Sequence, residues 1–189
     1  MAQIATFDRF FVPVSEAAAP ENARAALQHA KQALGFVPNL LTTLANAPSA
    51  ATGYVGLVGE FGKGTLTPQE QHIVMLAASV ENESDYCIAI HSKVVKAKEN
   101  APEEWIAAIR SGTPVPDPRI DALVNMTKEI VRERGYVHRE TVDQFLAAGY
   151  QKEQIIEILL GVALKTISNY LNHISVVEPD MIVRPERVV

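Results

Sequence analysis

The stretch from Thr67 to Ala78 restricts the fold of this chain more than any other. Thr67-Pro-Gln-Glu70 has the form of a helix start: the threonine can cap, the proline suits the first turn, and the glutamate can bond back to the cap. The residues that follow, Ile73, Val74, Leu76, Ala77 and Ala78, leave almost no polar side, which marks a buried helix. His72 falls in its second turn. No segment elsewhere shows strand alternation bounded by hairpin turns. The chain therefore reads as all-α, a multi-helical bundle of about eight or nine helices.

Prolines and glycines cut the remaining sequence into helices. Pro20 opens one that Gly35 closes, and Phe36-Val-Pro-Asn39 turns into a second. Pro48 starts a third, and Pro102 starts another that ends near Gly112. Thr113-Pro-Val-Pro-Asp-Pro118 cannot be helical and reads as a stiff connector over 113–118 between two helical halves. Residues 119–134, 138–148 and 151–176 follow as further helices. Residues 1–20 form an irregular arm, with Phe7, Phe10, Phe11 and Val12 apolar, that packs on its own domain or on a neighbouring subunit. Trp105 reads as a core anchor. A length of 189 residues suits one domain spanning 1–189.

The formal net charge of −5 gives no reason to expect nucleic acid. One cysteine excludes an internal disulfide and argues for a reducing, cytoplasmic setting. The first residues lack the basic start and apolar run of a signal peptide, and the apolar runs are far short of a membrane span.

The chemistry concentrates in Asn82-Glu-Ser-Asp-Tyr-Cys-Ile-Ala-Ile-His91. Cys87 and His91 stand four residues apart, on one face of a helix, so thiol and imidazole can reach each other or a bridging water. Ser84 and Asp85 suit the helix N-terminus, which places Cys87 in the first turn, where the helix dipole favours a thiolate. The plainer reading is a small buried hydrophobe among Tyr86, Ile88, Ala89 and Ile90, with His91 and His72 as hydrogen-bonded core histidines. His72, Cys87 and His91 also form a loose metal-ligand set, but they lack second-site spacing, and no metal or other cofactor is expected. A second polar interruption, Ser168-Asn-Tyr-Leu-Asn-His173, places Asn169, Asn172 and His173 on one face. They line a pocket near Cys87 or serve as structural hydrogen bonds.

Leu66-Thr-Pro68 and Tyr86-Cys-Ile-Ala-Ile-His91, together with Gly35-Phe-Val-Pro-Asn39 and Lys165-Thr-Ile-Ser-Asn-Tyr-Leu-Asn-His173, resemble segments of the carboxymuconolactone decarboxylase / alkylhydroperoxidase D-like (AhpD-like) superfamily, in its peroxidase-related branch. The resemblance runs over most of residues 35–175. It implies an AhpD-like helical fold and a redox motif of glutamate, eleven residues, Cys-x-x-Cys, three residues and His. In this chain the first motif cysteine falls on Ser84 and the motif glutamate on His72. The peroxide-facing cysteine, Cys87, and the histidine, His91, are kept. A disulfide cycle within one chain is thereby excluded.

The resemblance implies an oxidoreductase that reduces a hydroperoxide at Cys87 to a sulfenate. His91 would assist, His72 would exchange a proton, and Ser84 would bond the sulfur or the substrate oxygen. An external thiol would act as reductant. Tyr86, Asn82, Asn169 and His173 are the pocket candidates. Two alternatives stand beside this one: a decarboxylase or lyase acting on a carboxylic-acid-like substrate with His72 and His91 as acid and base, and a non-catalytic oligomer that binds a small ligand. A homo-oligomer, dimer, trimer or hexamer, is expected.

Overall fold

A computed structural model describes residues 10–180. Phe7 of the N-terminal arm and the end of the C-terminal tail lie outside that range. Among the described residues the chain forms nine helices and no strand: α1 Glu21–Leu34, α2 Asn39–Leu44, α3 Pro48–Phe61, α4 Pro68–Glu81, α5 Asp85–Ala97, α6 Glu103–Ser111, α7 Pro118–Arg132, α8 Arg139–Ala147 and α9 Lys152–Ile174. This is the all-α fold that the sequence predicts.

The start of α4 follows from its residues. Thr67 Oγ1 accepts the Glu70 backbone N–H at 3.2 Å, while the Glu70 carboxylate accepts the Thr67 N–H at 2.8 Å. With its end satisfied by its own side chains, α4 can enter the interior. It packs against α5, α6, α7 and α9, and the side chains from Ile73 to Ser79 are all buried. Every face of α4 thus meets protein, as its apolar composition demands.

Glu157, near the start of α9, fastens the loop that leads into α4. Its carboxylate accepts the backbone N–H of Thr65 at 2.8 Å and of Leu66 at 3.0 Å. Further along α9, Gly161 lets the helix approach closely: a Cβ there would lie 2.8 Å from the Phe61 ring and 2.9 Å from Val74 Cγ1. Two apolar clusters result. The larger joins α4, α6, α7, α8 and α9 around Leu76, Leu123, Met126 and Phe145. The smaller joins α1 and α2 around Leu27, Leu40 and Leu41, and it takes in Tyr86 and Cys87 from α5. Trp105 packs against the larger cluster, half-buried.

The proline-rich connector ends where Asp117 caps α7, its carboxylate accepting the N–H groups of Arg119 and Ile120. Val115 within it is buried and belongs to the larger cluster, which draws on residues from both sides of the connector. Helix α9 is the one described helix long and apolar enough to cross a membrane. Its Leu164, Lys165, Ser168 and Asn169 face is buried against the bundle, as in the core helix of a compact fold.

Candidate functional site

Cys87 stands in the first turn of α5, three residues past the N-cap Ser84. Its position matches the sequence reading; its partners do not. The Ser84 hydroxyl makes no capping bond and, although buried, has no partner among the described residues. The sulfur is bonded instead to Ser168 Oγ of α9 at 3.8 Å. No hydrogen bond joins the sulfur to either imidazole among the described residues. Cys87 is 1% exposed.

One turn along α5, His91 faces α9 as well. Lys165 Nζ lies 3.0 Å from His91 Nε2, and His91 Nδ1 lies 3.4 Å from His72 Nδ1 of α4. Both ring nitrogens of His91 are therefore engaged, and neither by the sulfur. The chemistry of the partners sets the proton positions. An ammonium has donors only, so Nε2 accepts from Lys165. The remaining proton then sits on Nδ1 and is donated to His72 Nδ1. His72 in turn carries its own proton on Nε2. The result is a directed line, Lys165 to His91 to His72.

The two contacts form neighbouring rungs between α5 and α9. Cys87 pairs with Ser168, and His91 pairs with Lys165. Rising numbers on α5 meet falling numbers on α9, so the helices run antiparallel here. Each rung is one helical turn from the other, which is the spacing that places side chains on a common face. Tyr54 of α3 completes the surroundings of the sulfur: burial raises its phenol, Lys165 and a hydrogen bond from Ser168 work the other way, and Cys87 raises it further.

Both imidazoles are neutral at pH 7. Burial, first, and then the cations Lys98 and Lys165 hold His72 down to about 4. Burial, then Lys165 and His72, hold His91 well below its ordinary value. Lys165 itself is 2% exposed, and no carboxylate among the described residues pairs with it.

The other predicted pocket residues are placed differently from the sequence reading. The Tyr86 hydroxyl donates to Asp180 at 2.6 Å and accepts from the Leu40 N–H at 3.4 Å, a buried clamp that joins α5 to α2 and to the segment after α9. Asn82 and Asn169 bond each other at 3.1 Å, and Asn169 also reaches Ser79 Oγ at 3.4 Å, which ties α4 to α9. His173 is exposed and stacks on Tyr170, so it takes no part in the buried contacts of Asn169. Among the described residues no three His, Cys, Asp or Glu side chains converge as a metal cradle; His72 and His91 meet, and Cys87 stands apart from them.

Lys165, Ser168 and Tyr54 did not emerge as candidates from the sequence. Lys165 had a usable signal. It lies at helical spacing with Ile158, Gly161 and Ser168, the stripe of α9 that is buried, and a charge inside an apolar stripe needs a reason.

Residues 47–129 match the carboxymuconolactone decarboxylase family. No curated protein matches the chain in sequence. Among solved structures, the chain is similar to an alkylhydroperoxidase AhpD core, a peroxidase-related protein from Ralstonia eutropha JMP134, with 22% identity, a TM-score of 0.82, and 100% of this chain and 99% of that one covered. A peroxidase-related protein from Silicibacter sp. TM1040 aligns with 15% identity and a TM-score of 0.74 over 87% of this chain and 88% of that one. The debrominase Bmp8, a cysteine-to-alanine variant in complex with 2,3,4-tribromopyrrole, aligns with 17% identity and a TM-score of 0.78 over 96% and 97%. Likeness at these identities speaks for the fold.

Proposed function

We propose, from the match of residues 47–129 to the carboxymuconolactone decarboxylase family, that the chain is a peroxidase-related oxidoreductase with one reacting cysteine. The observation that carries this reading is the pair of rungs between α5 and α9. The sulfur of Cys87 sits one turn from a buried ammonium that has no carboxylate partner among the described residues. An uncompensated buried cation favours an anion close by. The alkoxide released by a hydroperoxide reacting at Cys87 is the candidate for it.

In the proposed step the thiolate attacks the terminal oxygen of a hydroperoxide. The S–O bond forms as the O–O bond breaks, and the electron pair leaves on the alkoxide. Lys165 gives the alkoxide a proton, and it is replaced when the His91 and His72 rings reverse the direction of their hydrogen bonds and pass a proton inward from the half-buried His72. Cys87 becomes a sulfenic acid and the substrate an alcohol. No second cysteine is present, so an external thiol attacks the sulfenic acid and releases water. A second thiol then frees Cys87. The names of the Ralstonia and Silicibacter relatives agree with peroxide chemistry. The reading places the protein in a reducing, cytoplasmic setting.

A second reading has its own support. Neither imidazole bonds the sulfur, and both rings are neutral and joined to each other. Those are the attributes of an acid–base pair, which fits a lyase acting on a carboxylate near Lys165. Two variants separate the readings. Hydroperoxide loss with a thiol reductant, abolished in Cys87→Ala, supports the first. Turnover of a carboxylate substrate that survives Cys87→Ala and is lost in His91→Ala supports the second.

A further inference from the structure

A cavity of about 400 Å³ lies between α5 and α6, on a part of α5 that the proposed chemistry does not use. We propose that it binds a small hydroxylated monocarboxylate. Three features of the wall point to that class. Ser92 is 2% exposed, and its hydroxyl, although buried, has no hydrogen-bond partner among the described residues. A buried hydroxyl without a partner is an unfavourable state that a bound oxygen relieves. Arg110 lines the same cavity and pairs with no carboxylate among the described residues. The one acidic wall residue, Glu103, is already bound to Lys96 at 2.9 Å across the cavity.

Lys96 and Glu103 cancel, so Arg110 leaves the cavity one positive charge in excess. A guanidinium takes a carboxylate in a two-point grip. Ile106 and Ala107 supply apolar wall for a compact body between the two polar contacts. The volume falls in the ordinary range of small-molecule sites, which combine apolar lining with a few placed polar groups.

The test uses 4-hydroxybenzoate as probe, with 4-hydroxybenzamide as its uncharged match. Amide proton and nitrogen shifts of the full chain are followed by NMR during titration. The expected result is saturable shifts centred on Ser92, Ile106 and Arg110. The amide should bind at least about tenfold more weakly, and Arg110→Gln should lose at least about tenfold in affinity for the carboxylate, the size of one charge-assisted contact. Ser92→Ala should lose a few-fold and keep the preference for the carboxylate. No saturation, equal binding of acid and amide, unchanged affinity in Arg110→Gln, or shifts centred on His72 and Cys87 would each overturn the proposal. None of these outcomes touches the reading of Cys87, which the Cys87→Ala variant tests separately.

Discussion

Lys165 Nζ lies 3.0 Å from His91 Nε2, inside the bundle and without a carboxylate partner among the described residues. An arrangement of that kind works against stability, because a buried ammonium gives up its hydration and recovers only a neutral ring. Lys165→Met keeps the length of the side chain and removes the charge. We expect its Tm to stay level or rise, while turnover falls about a hundredfold, the usual size of a lost proton-transfer group. The His91 ring should also protonate more easily once the cation is gone, which a histidine NMR titration reads directly. A large fall in Tm with turnover preserved would make Lys165 a structural residue.

The two neutral imidazoles predict an acid-sensitive fold. In the unfolded chain a histidine takes up its proton near pH 6.5, while folded His72 waits until about pH 4 and burial with Lys165 holds His91 well below its ordinary value. The unfolded state therefore holds more protons in that window. The stability contributed by these residues is complete above about pH 6.5 and declines as the pH falls toward 4, by roughly 1.4 kcal/mol per pH unit for each ring. His138 has the opposite sign. Its hydrogen bond and charge contact with Glu129 raise it, so its contribution is complete at low pH and is lost as the pH rises through its raised value. Denaturant unfolding from pH 7 to 4.5 in a His138→Gln background isolates the imidazole pair. His72→Gln should flatten the slope, and a slope already flat in the parent would contradict the assignment.

Gly161 should tolerate no side chain. An added methyl meets Phe61 and Val74 below 3.0 Å, and both are buried where α9 crosses α3 and α4. Gly161→Ala is expected to cost about 1–3 kcal/mol in chemical denaturation, the range for overpacking a filled core. Because Lys165 lies one turn further along α9, the variant should also perturb the His91 ring resonances. Parent-like stability would mean that the helices separate freely here.

The clamp between Tyr86 and Asp180 gives a separate structural prediction. Tyr86→Phe removes the donor at 2.6 Å from a buried carboxylate that keeps the Asn39 N–H. A loss of about 1–3 kcal/mol is expected. Hydroperoxide turnover should be unaffected, since the Tyr86 hydroxyl is engaged by Asp180 and the Leu40 N–H and not by the Cys87–Ser168 rung. A selective loss of turnover would restore Tyr86 to the site.

The legible part of this protein was local. Helix starts at Pro48, Thr67-Pro68 and Pro102, and stops at Gly35 and Gly112, follow from the backbone freedom of single residues, and the helices begin and end there within a residue or two. The burial of α4 followed from its lack of a polar face. The site was half legible. The spacing of Cys87 and His91 placed both on one face of α5, but spacing within one helix cannot say which neighbour claims each group. Ser168 and Lys165, far along the chain, took the sulfur and the imidazole that sequence reasoning had given to each other. Asn169 and Tyr86 were drawn into long-range bonds with Asn82 and Asp180 for the same reason. Ser84 had the right position for a cap, but its buried hydroxyl finds no partner among the described residues.

The most direct test of the account is the fate of the Cys87 sulfur under a small hydroperoxide. Protein is exposed to a stoichiometric pulse of tert-butyl hydroperoxide, trapped with dimedone, and analysed by mass spectrometry of the peptide that contains Cys87. The account predicts one trapped sulfenic acid at Cys87 with release of tert-butanol, slowed about a hundredfold in Lys165→Met and in His91→Ala. A Cys87 that stays unmodified while the protein's methionines oxidise, or one that reacts at the same rate in both variants, would contradict it.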